Sequence, residues 1–120
     1  MLGISRGAAN NGVGGSPPSS DVSASISPDV FRVFCSNGSY TTPEFKSNVT
    51  NGVGPFIYSW KVSEGDVLSP AAKKTRLRFS GYNQEVQAVL ELTVTDTGDS
   101  NKKATATALV IILFEDGLFL

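Results

Sequence analysis

From Val86 to Phe114 the chain is written almost entirely in period two. Val86, Ala88, Leu90, Leu92 and Val94 alternate with Gln87, Glu91, Thr93 and Thr95, and Val89 is the single apolar residue on the polar side. Successive side chains of a strand point to opposite faces, so this alternation predicts a strand with one buried face. Thr95-Asp96-Thr97-Gly98-Asp99-Ser100-Asn101 then supplies the residues that make turns. Ala104, Ala106, Ala108 and Val110 resume the alternation against Thr105 and Thr107, which completes a β-hairpin.

The same period runs through the rest of the chain. Val22, Ala24 and Ile26 alternate with serines, and Phe31, Val33 and Cys35 alternate with Arg32, although Phe34 is apolar on the other side. Phe45, Ser47 and Val49 lead into a Thr50–Pro55 turn. Phe56, Tyr58, Trp60 and Val62 form the next run, and Leu77 and Phe79 alternate with Arg76, Arg78 and Ser80. The one helical candidate, Ser69–Thr75, is a turn or two long and carries Pro70. About seven short strands at this spacing predict an all-β sandwich of two packed antiparallel sheets. At 120 residues the chain holds one domain, with Trp60, Tyr58, Phe79, Leu90 and Leu92 as its expected core. Residues 22–116 make up the sandwich, between an N-terminal arm over 1–21 and an apolar tail over 117–120.

Composition excludes several kinds of chemistry. There is no histidine, and Cys35 is the only cysteine. An intramolecular disulfide, a Cys/His zinc site and a histidine-dependent triad are therefore all impossible. Ten basic residues against eleven acidic ones give a net charge of −1, a poor balance for coating nucleic acid. The longest apolar run, Ala108–Phe114, is far shorter than the roughly 20 residues of a spanning helix, so no membrane partner is expected. No apolar segment near the N-terminus reads as a signal peptide. The sequons at Asn37 and Asn48 are then incidental to a chain rich in Ser, Thr and Asn.

No set of residues points to catalysis, a metal or a cofactor. Asp96, Asp99 and Asn101 offer oxygen ligands, but without the spacing and terminal glutamate of an EF-hand they read as a polar turn. Glu64 and Asp66 flank Gly65 in what reads as a tight turn, which supplies no cleft for a carboxylate pair. Cys35 continues the Phe31 and Val33 face and reads as a small buried hydrophobe. Lys73, Lys74, Arg76 and Arg78 form a basic cluster, either a solvated edge strand or a docking surface for an acidic partner. The absence of interleaved aromatics argues against specific nucleic-acid binding there.

The last strand departs from the alternating rule. Leu109-Val110-Ile111-Ile112-Leu113-Phe114 is apolar on both faces, whereas one face of a lone sandwich sheet should be polar. Met1–Ser20 is rich in Gly, Ser and Pro, with Leu2, Ile4, Arg6 and Val13 as its larger side chains. Such a segment reads as a flexible tail or as an extended arm that orders on a neighbour. Leu118, Phe119 and Leu120 add apolar groups after the last strand. The expected interface is Leu2, Ile4, Arg76, Arg78, Leu109, Ile111, Leu113, Leu118, Phe119 and Leu120.

Gly54-Pro55-Phe56-Ile57-Tyr58-Ser59-Trp60-Lys61-Val62, followed by Leu92-Thr93-Val94-Thr95-Asp96-Thr97-Gly98, resembles a PKD-like immunoglobulin-type domain over roughly residues 26 to 114. The family's G-x-x-P-Y/F-x-Y-x-W strand and V-T-D-x-x-G turn carry the resemblance. It implies that Trp60 is the central core tryptophan and that the module binds or supports rather than catalyses. Leu92 stands about where antibody-type domains place their second sheet-bridging cysteine. Ig-like folds recur in the virion accessory proteins of tailed bacteriophages. The resemblance therefore implies a capsid decoration, cement or other accessory virion protein, assembled in the bacterial host cytoplasm. Its partner would be the major capsid protein, another virion protein or further copies of itself. A cell-surface or carbohydrate-binding adhesion module is the alternative, with Tyr40 and Tyr82 as the only loop aromatics to serve a sugar.

Overall fold

The computed structural model describes residues 21–116. The expected arm as far as residue 20 and the apolar tail, with Leu2, Ile4, Leu118, Phe119 and Leu120, lie outside the described residues.

Among the described residues ten strands follow one another: β1 (Ser23–Ser27), β2 (Val30–Ser36), β3 (Gly38–Thr41), β4 (Phe45–Thr50), β5 (Phe56–Val62), β6 (Asp66–Val67), β7 (Lys74–Thr75), β8 (Leu77–Gly81), β9 (Gln84–Asp96) and β10 (Lys102–Glu115). The count exceeds the seven expected runs by β3, β6 and β7, short strands that the alternation did not single out. Pro28 separates β1 from β2, Pro43 separates β3 from β4, and Arg76 separates β7 from β8. Proline lacks the N–H that a ladder needs, so the breaks at Pro28 and Pro43 have a local cause.

One layer is a four-stranded sheet in the order β2-β10-β9-β5. The other consists of β1-β4-β7 and β3-β8-β6 side by side. Thr42 bridges these halves: its N–H donates to Leu77 O at 2.9 Å, and its hydroxyl oxygen accepts from Leu77 N at 3.0 Å. The sheets are not wholly antiparallel, as β2 runs parallel to β10 from Leu109↔Val30 to Glu115↔Ser36. The chain leaves β1 in one layer and enters β2 in the other, and that change of sheet reverses the direction of pairing.

The hairpin of β9 and β10 follows the register its alternation predicts, with Ala104 opposite Val94, Ala106 opposite Leu92 and Ala108 opposite Leu90. Alanines face larger groups, so the two strands fill the interlayer space without crowding. Val86, Ala88, Leu90, Leu92 and Val94 are all buried, together with Ala108, Val110, Ile112 and Phe114 from β10. The opposite layer contributes Ile26, Phe45, Leu77 and Phe79. Tyr58 and Cys35, expected in the core, are half-buried at its margin on β5 and β2, the two outer strands of the sheet. An edge strand has no neighbour on one side, which leaves its inward groups partly open.

Trp60 is 3% exposed. Its Nε1–H donates to Ala72 O at 2.7 Å, and its backbone N–H donates to Pro70 O at 2.9 Å. The stretch that offered a short helix is thus held as irregular backbone against the tryptophan before it ends in β7. A buried indole needs a partner for its N–H, and the Ala72 carbonyl provides one.

Asp96 closes β9 and is fully buried, one of three polar residues so placed among those described. Its Oδ2 accepts from Val53 N at 2.8 Å, and its Oδ1 accepts from Gly54 N at 2.8 Å and Gly98 N at 3.2 Å. The carboxylate therefore pins the β4–β5 turn to the β9–β10 turn. Gly52 sits at φ 81°, and a Cβ there would lie 2.6 Å from Asp96 Oδ2. Gly98 passes so close to Gly54 O that no Cβ fits. Both positions need glycine. Desolvation raises the pKa of Asp96, but the three amide hydrogen bonds and the nearby Lys102 ammonium outweigh it and hold the carboxyl below its usual value.

Two outcomes follow for stability. Trp60→Ala should cost about 3–5 kcal/mol in urea unfolding, through a large cavity and a stranded Ala72 carbonyl. Trp60→Phe should cost less, since it refills most of the volume. A depressed folded-state pKa contributes stability that is present above the unfolded-state value and lost as pH falls through the folded one. Asp96→Asn should therefore lower the melting temperature at neutral pH. The gap between variant and native protein should close as pH drops below about 4, near the ordinary aspartate pKa.

Candidate interaction surface

Burying one side of β10 fixes the other side outward. Leu109, Ile111 and Leu113 point away from the core, as their neighbours Val110, Ile112 and Phe114 point into it. Register sets their company. Val30 on β2 and Val89 on β9 lie opposite Leu109, Arg32 and Gln87 lie opposite Ile111, and Phe34 and Glu85 lie opposite Leu113. Residues directly opposite share a face, so these side chains form an apolar stripe along β10 with flanks on both sides. Phe34 is 67% exposed, Val30 58%, Val89 47% and Leu109 39%. Ile111 and Leu113 are half-buried among their neighbours.

The rest of the same face is polar except for Ile57 on β5, which lies opposite Thr95 and is 57% exposed. Thr105 lies opposite Thr93, which lies opposite Ser59, and Thr107 lies opposite Glu91. Lys61 Nζ reaches Glu91 Oε1 at 3.6 Å where the stripe ends. A shallow depression of about 330 Å³ there is lined by Lys61, Val62, Ser63, Val89, Glu91 and Thr107.

Leu109, Ile111 and Leu113, three of the expected interface residues, thus lie together in one surface. Arg76 and Arg78 do not join them. They are exposed on the opposite layer, where Arg78 pairs with Thr41 and Asp66, and Arg76 Nη1 donates to Thr42 O at 3.3 Å. Arg78 is not on an edge, since β8 lies between β3 and β6, whereas Lys74 of the same cluster is on β7, an edge of its sheet. Lys46 and Lys74 are paired in register nearby, and Lys74 meets Glu44 at 3.6 Å. Leu77 and Phe79 face inward as the alternation required. The basic cluster and the apolar stripe are separate surfaces, because their strands belong to different layers.

The other chemical candidates have structural roles. The oxygens of Asp96 are occupied by backbone amides, and Asp99 faces Lys102 at 3.6 Å, which leaves no set of oxygens converging on a cation between them. Among the described residues no group of three or more His, Cys, Asp or Glu is arranged to hold a metal. Glu64 and Asp66 are exposed around Gly65. Tyr40 is half-buried and stacks on Phe31 with centroids 6.5 Å apart, so Tyr82, at 70% exposure, is the loop aromatic open to solvent. Val30, Phe34 and Val89 belong to the surface although they were not among the expected interface residues. Their signal was apolar identity at positions where the alternation calls for polar groups.

No family model and no curated protein sequence matches this chain. Among solved structures, it is similar to the PKD domain of human KIAA0319, with a TM-score of 0.57 and 13% identity, over 93% of this chain and 98% of that one. It is also similar to a nucleoside hydrolase-related hypothetical protein from Saccharophagus degradans that is associated with carbohydrate metabolism, with a TM-score of 0.51 and 12% identity. The match covers 80% of this chain and 26% of that longer one. At these identities the likeness speaks for the fold alone. The chain is an all-β sandwich of the PKD-like, immunoglobulin-like type.

Proposed function

We propose that this chain is a non-enzymatic component of a protein assembly, in the manner of the decoration, cement and other accessory proteins of tailed-bacteriophage particles. It docks through the outer face of the β2-β10-β9-β5 sheet. The observation that carries this reading is the apolar stripe of Val30, Phe34, Val89, Leu109, Ile111 and Leu113 on a face that solvent would otherwise wet. A contiguous apolar patch bounded by polar groups marks interaction surfaces. The Ser and Thr positions and the Lys61–Glu91 pair form such a boundary. The partner is a protein, such as the major capsid protein, another virion protein or further copies of this chain. The composition of residues 1–21 and the apolar Leu118, Phe119 and Leu120 suit additional attachment, since both add groups that gain by being covered. The role needs no cofactor, and the place of action is the virion.

The test is whether the chain is found in particles. Particles purified on a density gradient from the producing cells should contain the native protein, identified by mass spectrometry. The double substitution Phe34→Ser with Leu109→Ser should reduce its content by at least about tenfold. Both side chains are exposed, so the melting temperature should move by no more than a few degrees. Absence of the native chain from such particles overturns the proposal.

A further inference from the structure

We propose that the outer face of the larger sheet is covered by a second copy of this chain, in a two-fold pair whose axis runs along β10. The inference rests on the docking reading above and names the partner of the same surface.

The face is self-complementary. The spine Leu109, Ile111 and Leu113 is flanked by unlike groups on its two sides. Arg32 stands on the β2 side, and Gln87 and Glu85 stand on the β9 side. Gln87 Nε2 donates to Glu85 Oε2 at 2.6 Å, which makes one anionic unit across the spine from the guanidinium. Among the described residues neither Arg32 nor Glu85 forms an ion pair. The face thus carries a cation and an anion on either side of an apolar ridge.

Packing two such faces by a two-fold along β10 sets ridge on ridge and places β2 of each copy over β9 of the other. Val30 then meets the partner's Val89, and Arg32 meets the Gln87–Glu85 unit. Sheets packed face to face lie about 10 Å apart, so Arg32 stands over the row of Gln87, whose amide is bonded to Glu85. An axis across the strands at Ile111, the middle of the stripe, instead stacks β2 on β2 and brings Arg32 against Arg32. Like charges on an apolar surface disfavour that arrangement, so charge selects the first. An isologous contact of this kind closes as a dimer and cannot grow into a fibre.

Size sets the strength. Three strands about 4.8 Å apart over the apolar rows cover roughly 300–400 Å² per copy, about half of a standard stable interface. The pair should therefore be weaker than micromolar in free solution, and it becomes effective where an assembly concentrates the copies.

Sedimentation equilibrium of the purified full chain, up to about millimolar, tests the pairing. The native protein should move from monomer toward dimer as concentration rises. Arg32→Glu and Glu85→Arg should each raise the dissociation constant at least about tenfold, and the double swap should restore most of the loss. Leu109→Asp should abolish the dimer, with circular dichroism reporting an intact sandwich. A native chain that is monomeric throughout overturns the inference, as does a dimer indifferent to Leu109→Asp or a double swap that fails to recover. If the monomeric chain is still found in purified particles, only the self-pairing falls. If the dimer forms but the particles lack the chain, only the assembly reading falls.

Discussion

Period two in β10 is the constraint on which the rest depends. This strand is hydrogen-bonded on both sides, to β9 over thirteen residue pairs and to β2 over seven. Its alternation simultaneously places Val110, Ile112 and Phe114 in the core and Leu109, Ile111 and Leu113 on the outside. A slip of one residue in register would exchange the two sets. Both sets are large and apolar, so hydrophobicity alone would tolerate that exchange over the second half of the strand. The first half decides, because Ala104, Ala106 and Ala108 fit under the opposite layer while Lys103, Thr105 and Thr107 do not. Register is thus set at the hairpin end and transmitted along the strand to the stripe.

The hairpin end is fixed by polar bonds rather than by apolar contact. Asp96 accepts from amides of two turns that are more than forty residues apart in sequence, and Thr97 adds bonds from its N–H and its hydroxyl to Pro55 O at 3.0 and 2.7 Å. Lys102 continues the network to Asp21 at 2.9 Å and Asp99 at 3.6 Å. Buried amides without partners cost free energy, and a carboxylate that accepts several of them removes that cost at one point. The sandwich therefore has an apolar middle and one polar closure at the end where its longest strands turn. The far end is held more lightly, by exposed bonds between Asn37 and Asn83.

The hairpin, the inward residues of β8 and the burial of Trp60 were legible because each depends on local alternation that one strand carries alone. The parallel pairing of β2 with β10 was not, since nothing in Val30–Ser36 records which sheet the chain enters after Pro28. Sheet order escaped for the same reason: nothing in the alternation records that Arg78 lies in the layer opposite the last strand. Asp96 was visible as a turn former, and its role as an acceptor for Val53 and Gly54 required a contact that spacing does not encode. The outer stripe was half visible. Leu109, Ile111 and Leu113 stood out as a run, whereas Val30, Phe34 and Val89 are scattered singly along three segments and become one surface only through register.

The division between core and surface also limits what the stripe contributes to folding. Phe34, Val30, Val89 and Leu109 keep between 39% and 67% of their exposure, so the fold gains little from them and their apolar character is a liability in the isolated chain. The liability is contained. The polar half of the face begins one row beyond Val89, where Lys61 meets Glu91, and Arg32 interrupts the apolar edge between Val30 and Phe34. A partner that slid along the strands would bury these charges without compensation, at a cost that rises with each row. The same groups that keep the face from sticking at random therefore give a bound partner a defined position, and the stripe supplies attraction while its charged border supplies register.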